Sequence, residues 1–265
     1  MNITIYHVDA FATQLFQGNP AAVCVLDDWL PDTLMQAIAA ELNLPETAFV
    51  VPRGKNEFRI RWFTPTMEVA LCGHATLASA HVLYNHLDHE KTALRFHSQS
   101  GPLVTMPDEQ GICLDFPAQY VSDIDITHEI LDAVGGNPTE AFAGEDLIVM
   151  YSDASEIVLA EPNFELLEKL PYRGVCISAP GNGNGYDFVA RFFAPASGIK
   201  EDPVTGSAFT KLTPIYAEKT DKRQFKARQV SARGGDVSLL LQGSRVFISG
   251  QALTVMTSSM ELPGF

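Results

Sequence analysis

Basic residues are scarce in this chain. Lys and Arg number 18 against 32 Asp and Glu, a formal net charge of −14 over 265 residues. Nucleic acids and anionic bilayers reward basic surfaces, so neither is an expected partner. Long apolar runs are missing as well: no stretch approaches the roughly 20 residues of a membrane-spanning helix. The opening MNITIYHVDAF has no charged start followed by an apolar segment, so no signal peptide is expected. Cysteine is sparse. Cys24, Cys72, Cys113 and Cys176 form no CxxC and no metal-ligand spacing, which reads as free buried thiols in a reducing, cytoplasmic setting with no metal. The glycines of Gly181 to Gly185, read as a flexible loop, do not lead from a strand into a helix in GxGxxG form, so no dinucleotide and no other cofactor is expected. Low-complexity tracts and long linkers are also missing.

What is present is a globular composition, 46% hydrophobic, and a stretch that the chain states twice. Residues Arg61 to Val82 read RWFTPTMEVALCGHATLASAHV, and Arg191 to Ala208 read RFFAPASGIKEDPVTGSA. Phe58, Arg61, Phe63 and Pro65 are matched by Phe188, Arg191, Phe193 and Pro195. Beyond a short insertion, Glu68, Leu71, Gly73 and Ala75 are matched by Glu201, Val204, Gly206 and Ala208. An echo at half the chain length predicts two related domains rather than a solenoid. We place them at residues 1–118, with the C-terminal tail a possible recruit to the first, and at 119–265. Each copy has the same grammar: an aromatic strand, a Pro-bearing loop with an acid, a glycine, and a helix. The first helix, from about Gly73 to Leu87, is apolar on most sides and so is expected to be enclosed by sheet. The unpaired N–H groups at two such helix starts suit one small anionic ligand held in a cleft between the domains.

Elsewhere the patterning predicts strands at 3–8, 21–26, 48–52, 57–63, 94–97, 103–106, 112–116, 147–151, 157–160, 174–179, 186–193, 225–231, 237–242, 245–249 and 253–256. Helices are expected over 32–42, over 126–134 with Gly135-Gly136 closing it, from Pro162 to before Pro171, and over 206–218, where Pro214 should bend the helix or cost it a hydrogen bond.

Several residues could carry chemistry, and each has a plainer alternative. Glu46 sits between a predicted helix and an apolar strand, where a partly desolvated carboxylate can act as a general acid–base group; it could equally be a solvated loop acid or a cap. Cys72-Gly73-His74 invites a thiol-nucleophile reading. Residues two apart on a helix do not face each other, however, and a small buried Cys is the plainer reading. His74, at a helix start, is expected to have its pKa lowered by the helix dipole. Asp202 and Ser207 flank the second helix start and could be caps. Arg233-Gly234-Gly235 either holds an acid group or closes a hairpin. His81, His86 and His89 lack a one-face metal spacing.

The segments DAFATQLFQGNPAAV, NLPETAFV, TPTMEVALCGHATLASAHVL, EDPVTGSA and SARGGD resemble the phenazine-biosynthesis PhzF-like family over nearly the whole chain. The resemblance implies a diaminopimelate-epimerase-like α+β fold: two similar domains, each a mostly antiparallel sheet or barrel wrapped round a central helix. It implies a cofactor-independent isomerase, with Glu46 as the acid–base group and His74, Asp202, Ser207, Gly73 and Gly206 at the substrate. Epimerases of this fold use two cysteines as opposed bases; here Cys72 stands at the first place and Thr205 at the second, which speaks against two-base racemisation. Phe209-Thr210 stands where many relatives have a His or Cys, so the phenazine-precursor substrate does not carry over. The expectation is therefore an isomerase moving a proton between carbons of a small carboxylic or amino acid, working as a homodimer. The contrasting expectations are a non-catalytic small-acid-binding protein and a Cys72 thiol enzyme.

Overall fold

The structure, a computed structural model, describes residues 1–183 and 185–262. Asn184, within the expected 181–185 loop, and residues 263–265 of the expected second domain lie outside the described residues. In chain order the elements are β1 (Asn2–Ala10), β2 (Asn19–Val25), α1 (Asp32–Leu42), β3 (Glu46–Gly54), β4 (Glu57–Phe63), β5 (Glu68–Val69), α2 (Gly73–His86), β6 (Leu94–Ser98), β7 (Gly101–Asp108) and β8 (Gly111–Pro117). They continue with β9 (Ser122–Ile124), α3 (His128–Val134), β10 (Glu140–Ala143), β11 (Leu147–Met150), α4 (Ala154–Val158), α5 (Phe164–Leu167), β12 (Val175–Pro180) and β13 (Phe188–Ala194). The chain closes with β14 (Ile199–Asp202), α6 (Gly206–Thr220), β15 (Gln224–Gln229), β16 (Gly235–Gln242), β17 (Arg245–Gly250) and β18 (Ala252–Glu261). Two compact units result: Met1–Asp115 with Ser249–Phe265, and Phe116–Ile248.

In the first unit β1 runs antiparallel to β18 and β2, β2 is parallel to β3, β3 antiparallel to β4, and β4 antiparallel to β5 but parallel to β6. The short connections of β6, β7 and β8 make them antiparallel neighbours. This sheet wraps round α2, which is buried from His74 through Ala80 and again at Val82 to Tyr84 and packs on β1, β2, β3, β7 and β18. Its Leu77, Val82 and Leu83 are fully enclosed, each contributing roughly 1.5–3 kcal/mol of burial. A helix made of Ala, Leu, Val, Ser and Thr can be surrounded on all sides because its buried hydroxyls turn inward. Thr76 and Ser79 donate to the carbonyls of Cys72 and Ala75 at 2.5 and 2.7 Å.

The second unit repeats the pairings in the same order. β10 is antiparallel to β9 and β11, β11 parallel to β12, β12 antiparallel to β13, β13 antiparallel to β14 and parallel to β15, and β15 antiparallel to β16. Its helix α6 is buried almost continuously from Gly206 to Ala217. Tyr216 stacks on Phe188 with ring centroids 4.1 Å apart. Pro214 lies inside α6 without ending it; the helix continues to Thr220 because its enclosure outweighs one lost hydrogen bond.

The repeated residues make the same contacts in both copies. Arg61 grips Glu68 with two parallel bonds of 2.7 and 2.6 Å, and Arg191 grips Glu201 at 2.7 and 2.9 Å. Each guanidinium also lies over the Phe two residues on, Phe63 at 5.2 Å and Phe193 at 5.0 Å. The fork ties the aromatic strand to the short strand that leads into the central helix.

Two local expectations are corrected. Residues 157–160 were expected as a strand; Ala154–Val158 is a helix, because Asp153 accepts the Ser155 N–H at 2.7 Å and caps it. Glu46 is not in a loop: it is the first residue of β3, opposite Ala21 of β2. Asn43, left-handed at φ +50, turns the chain sharply out of α1.

Candidate active site

In the first unit the chemistry gathers at the start of α2. Cys72 is the N-cap residue, in extended conformation with no side-chain cap bond, and Gly73 opens the helix. Glu46 Oε2 lies 3.1 Å from His74 Nε2, with both side chains nearly enclosed, at 13% and 7% exposure. Cys72 Sγ lies 3.5 Å from His74 Nδ1. The expectation that Cys72 and His74 cannot meet fails because Cys72, at φ −146 and ψ 114, is not helical, so helical spacing does not govern it.

The expected direction for His74 is also reversed. Burial by itself lowers the imidazole pKa, but Cys72 and Glu46 beside it outweigh that and hold it well above its ordinary value. The Cys72 thiol is pushed up, by burial first and by Glu46 second. The donor atoms of Glu46, Cys72 and His74 all lie within 4.8 Å of one another, a set that could hold a borderline-soft divalent metal.

In the second unit the equivalent place is the start of α6. Thr205 is its N-cap and Gly206 opens it. The side chain of Thr205 does not cap the helix; it donates to Asp202 Oδ2 at 2.5 Å. Buried Gln229 accepts the Thr205 N–H at 2.8 Å and donates to the Asp202 carbonyl, clamping the turn into the helix. Ser207 does not act as a cap either: its Oγ accepts from Arg173 Nη2 at 2.9 Å. Arg173 also holds Asp146 through two bonds of 2.8 and 2.6 Å, and Lys211 Nζ lies 2.7 Å from the same carboxylate.

The structure thus brings Glu46, His74 and Gly73 together in one unit and Asp202, Ser207 and Gly206 together in the other. Arg173, Asp146, Lys211 and Gln229 escaped the sequence reading. The longer connection from β12 to β13 hides the alignment for Arg173 and Asp146, which lie upstream of Phe188; Lys211 and Gln229 lie downstream, where nothing in the repeat marks them.

Phe209 is fully buried against Phe188, and Thr210 Oγ1 lies 2.7 Å from the Ser207 carbonyl. Residues 230–234 connect β15 to β16, with Gly234 at φ +66 donating its N–H to Ser231 Oγ, so the Arg233-Gly234-Gly235 segment lies in a hairpin turn. His81 and His86 both reach Thr254 Oγ1, at 3.0 and 2.7 Å. A 580 Å³ groove in the second unit, lined by Ile130, Leu166, Leu170 and Tyr172 among others, contains none of the site residues. No helix among the described residues is long and apolar enough to cross a membrane.

Two similar units, each a mostly antiparallel sheet round a central buried helix, with a carboxylate–imidazole contact at one helix start and hydroxyls at the other, fit the diaminopimelate-epimerase-like class of α+β protein. Comparison with known proteins narrows the class. The family model for phenazine biosynthesis-like proteins matches residues 8–258. An uncharacterized isomerase of Pseudomonas aeruginosa is 48% identical over 99% of this chain and 100% of its own. The crystal structure of a PhzF-family protein from Enterococcus faecalis matches with a TM-score of 0.95 at 42% identity, over 99% of this chain and 100% of that one. A probable proline racemase from Agrobacterium radiobacter, 12% identical, shares the fold at a TM-score of 0.64 over 99% of this chain and 94% of that one. The chain belongs to the phenazine-biosynthesis PhzF-like family.

Proposed function

We propose that this protein is a cofactor-independent isomerase that moves a proton between carbons of a small carboxylic or amino acid. The observation that carries the reading is the Glu46–His74 pair, 3.1 Å apart at the uncapped start of a buried helix. A carboxylate in such a place can take a proton from a carbon beside an acidifying group and return it at another. His74, held toward its cationic form, fixes the Glu46 carboxylate and helps orient the substrate beside it. Ser207 and the amides of Gly73 and Gly206 serve as donors for a carboxylate or enolate oxygen. Asp202, aimed by Thr205, orients the substrate's polar groups. A small anionic metabolite is the substrate class, and a cytoplasmic homodimer is the form we assign, to be tested by light scattering of the purified protein and by cell fractionation. Relatives called isomerases support the assignment.

The test is deuterium uptake. The protein is incubated in D₂O with a panel of amino acids and unsaturated cyclic acids, and carbon-bound deuterium is read by NMR. An acid that exchanges in the presence of the parent protein but not of Glu46→Gln supports the reading. Acids that bind and never exchange would replace it with a non-catalytic binding protein.

A further inference from the structure

The two units can be aligned residue by residue through their strand registers. Thr47 faces Phe63 across β3 and β4, and Val175 faces Phe193 across β12 and β13. Glu46 therefore occupies the place that Gly174 occupies in the second unit. Across the parallel pairs, Ala22 meets Thr47 and Leu147 meets Val175, so Asp146 stands where Ala21 stands. At the helices, Gly73 and Gly206 are both first residues, so His74 corresponds to Ser207.

The first unit thus sets a carboxylate against the second residue of its helix, and the second unit does not. A side chain at 174 is excluded, since a Cβ there would come within 2.3 Å of Phe192 Cζ. The polar partner comes from the preceding residue instead: Arg173, lying over Phe192 at 5.6 Å and bonded to Ser207 Oγ at 2.9 Å. Two cations converge on Asp146, whose side chain is wholly buried. Lys211, itself buried to 2% exposure of its side chain, also lies 3.3 Å from the Ser207 carbonyl.

A guanidinium only donates. Ser207 Oγ must therefore accept from Arg173, and its single O–H is left to point at something else. A hydroxyl that accepts from a cation is also a stronger donor. We infer that Arg173, held by the buried Asp146–Lys211 pair, is a positioning residue that fixes Ser207 as a hydrogen-bond donor to a carboxylate. The unit without a counterpart of the Glu46 carboxylate is then the half that holds the anion. The inference rests on the proposed role of Ser207 at the substrate.

Sodium benzoate and uncharged benzamide serve as probes, titrated by NMR against the parent and the variants Ser207→Ala, Arg173→Met and Arg173→Lys. The parent is expected to bind benzoate saturably and benzamide far more weakly. Ser207→Ala and Arg173→Met should each weaken benzoate about tenfold, the usual worth of a charge-assisted bond. Combining them should cost little more than either alone, because one acts through the other. Arg173→Lys keeps a cation for Asp146 but cannot serve Asp146 and Ser207 in the same fork. It should fold even if Arg173→Met does not, and should bind with intermediate affinity. Benzoate affinity lost in Ser207→Ala but within twofold of the parent in both Arg173 variants overturns the inference and leaves the proposed function standing. A parent that binds no benzoate, or a Ser207→Ala that binds it as the parent does, removes Ser207 from the carboxylate and overturns the inference along with that assignment.

Discussion

Replacing Glu46 by Gln separates chemistry from structure at this site. Gln keeps the size of Glu and can still accept a bond from His74, but it cannot take up a proton and return it at useful rates. Two unit charges at the observed 3.1 Å attract by about 5 kcal/mol at an effective dielectric constant of ~20, before desolvation is charged against them. The net worth of a hydrogen bond to a charged partner is about 2 kcal/mol. For a chain of this size that corresponds to a Tm lower by roughly 4–8 °C, so Glu46→Gln should fold. Turnover should fall by about 10²–10⁴, the usual contribution of a general acid–base group. A pH signature accompanies the loss. The folded-state pKa of His74 is raised, so its contribution to stability is full below about 6.5, the unfolded value, and is lost as pH rises through the folded value. Without the Glu46 charge one of the two groups that hold the imidazole up is gone, and this alkaline loss should shrink. Urea unfolding of parent and variant across neutral to alkaline pH, beside deuterium exchange, reads both effects. A folded Glu46→Gln that keeps full turnover would refute the assignment, and Asp202→Asn would be the next variant to examine.

Cys72→Ser should retain turnover within a few-fold, since burial and Glu46 both push the thiol pKa up, away from the reactive thiolate; an inactive but folded variant would restore the thiol-enzyme reading. Added Zn²⁺ should inhibit reversibly by occupying Glu46, Cys72 and His74, with activity recovered on adding a chelator and the inhibition weakened in Cys72→Ser. If Zn²⁺ at millimolar excess leaves the parent at full activity, the three side chains do not converge as described. His81 is lowered to about 4, chiefly by burial. The unfolded chain therefore binds the extra proton between about 6.5 and 4, and folding stability should fall by up to about 3 kcal/mol as pH drops through that window. His81→Gln should flatten this acid limb in pH-dependent denaturant melts; an unchanged limb would mean that another group titrates.

Much of this molecule was legible in the sequence because its repeat is written in residues that need each other. Arg61 and Glu68, or Arg191 and Glu201, are the two ends of one fork, so both ends recur together. The enclosure of the first central helix was legible too, from apolar residues on most sides of Gly73–His86. Other features depended on backbone geometry that composition does not encode. The Cys72–His74 contact needs an extended residue ahead of the helix, and α4 needs the Asp153 cap to override the strand propensity of Ile157 and Val158. The Arg173–Asp146–Lys211 cluster joins residues from three separate stretches of chain, and only the strand registers place them beside Ser207.

The ring of Phe192 at Gly174 has a stereochemical consequence. It closes the place where the second unit would carry a counterpart to Glu46, and Thr205 is no thiol base. If Glu46 is the acid–base group and Asp202 takes no part in proton transfer, Glu46 works as a lone base. A lone base lifts a proton from one face of a substrate and sets it down on that same face. The shift is suprafacial, and part of a deuterium label placed at the first carbon should reappear at the second instead of washing wholly into water.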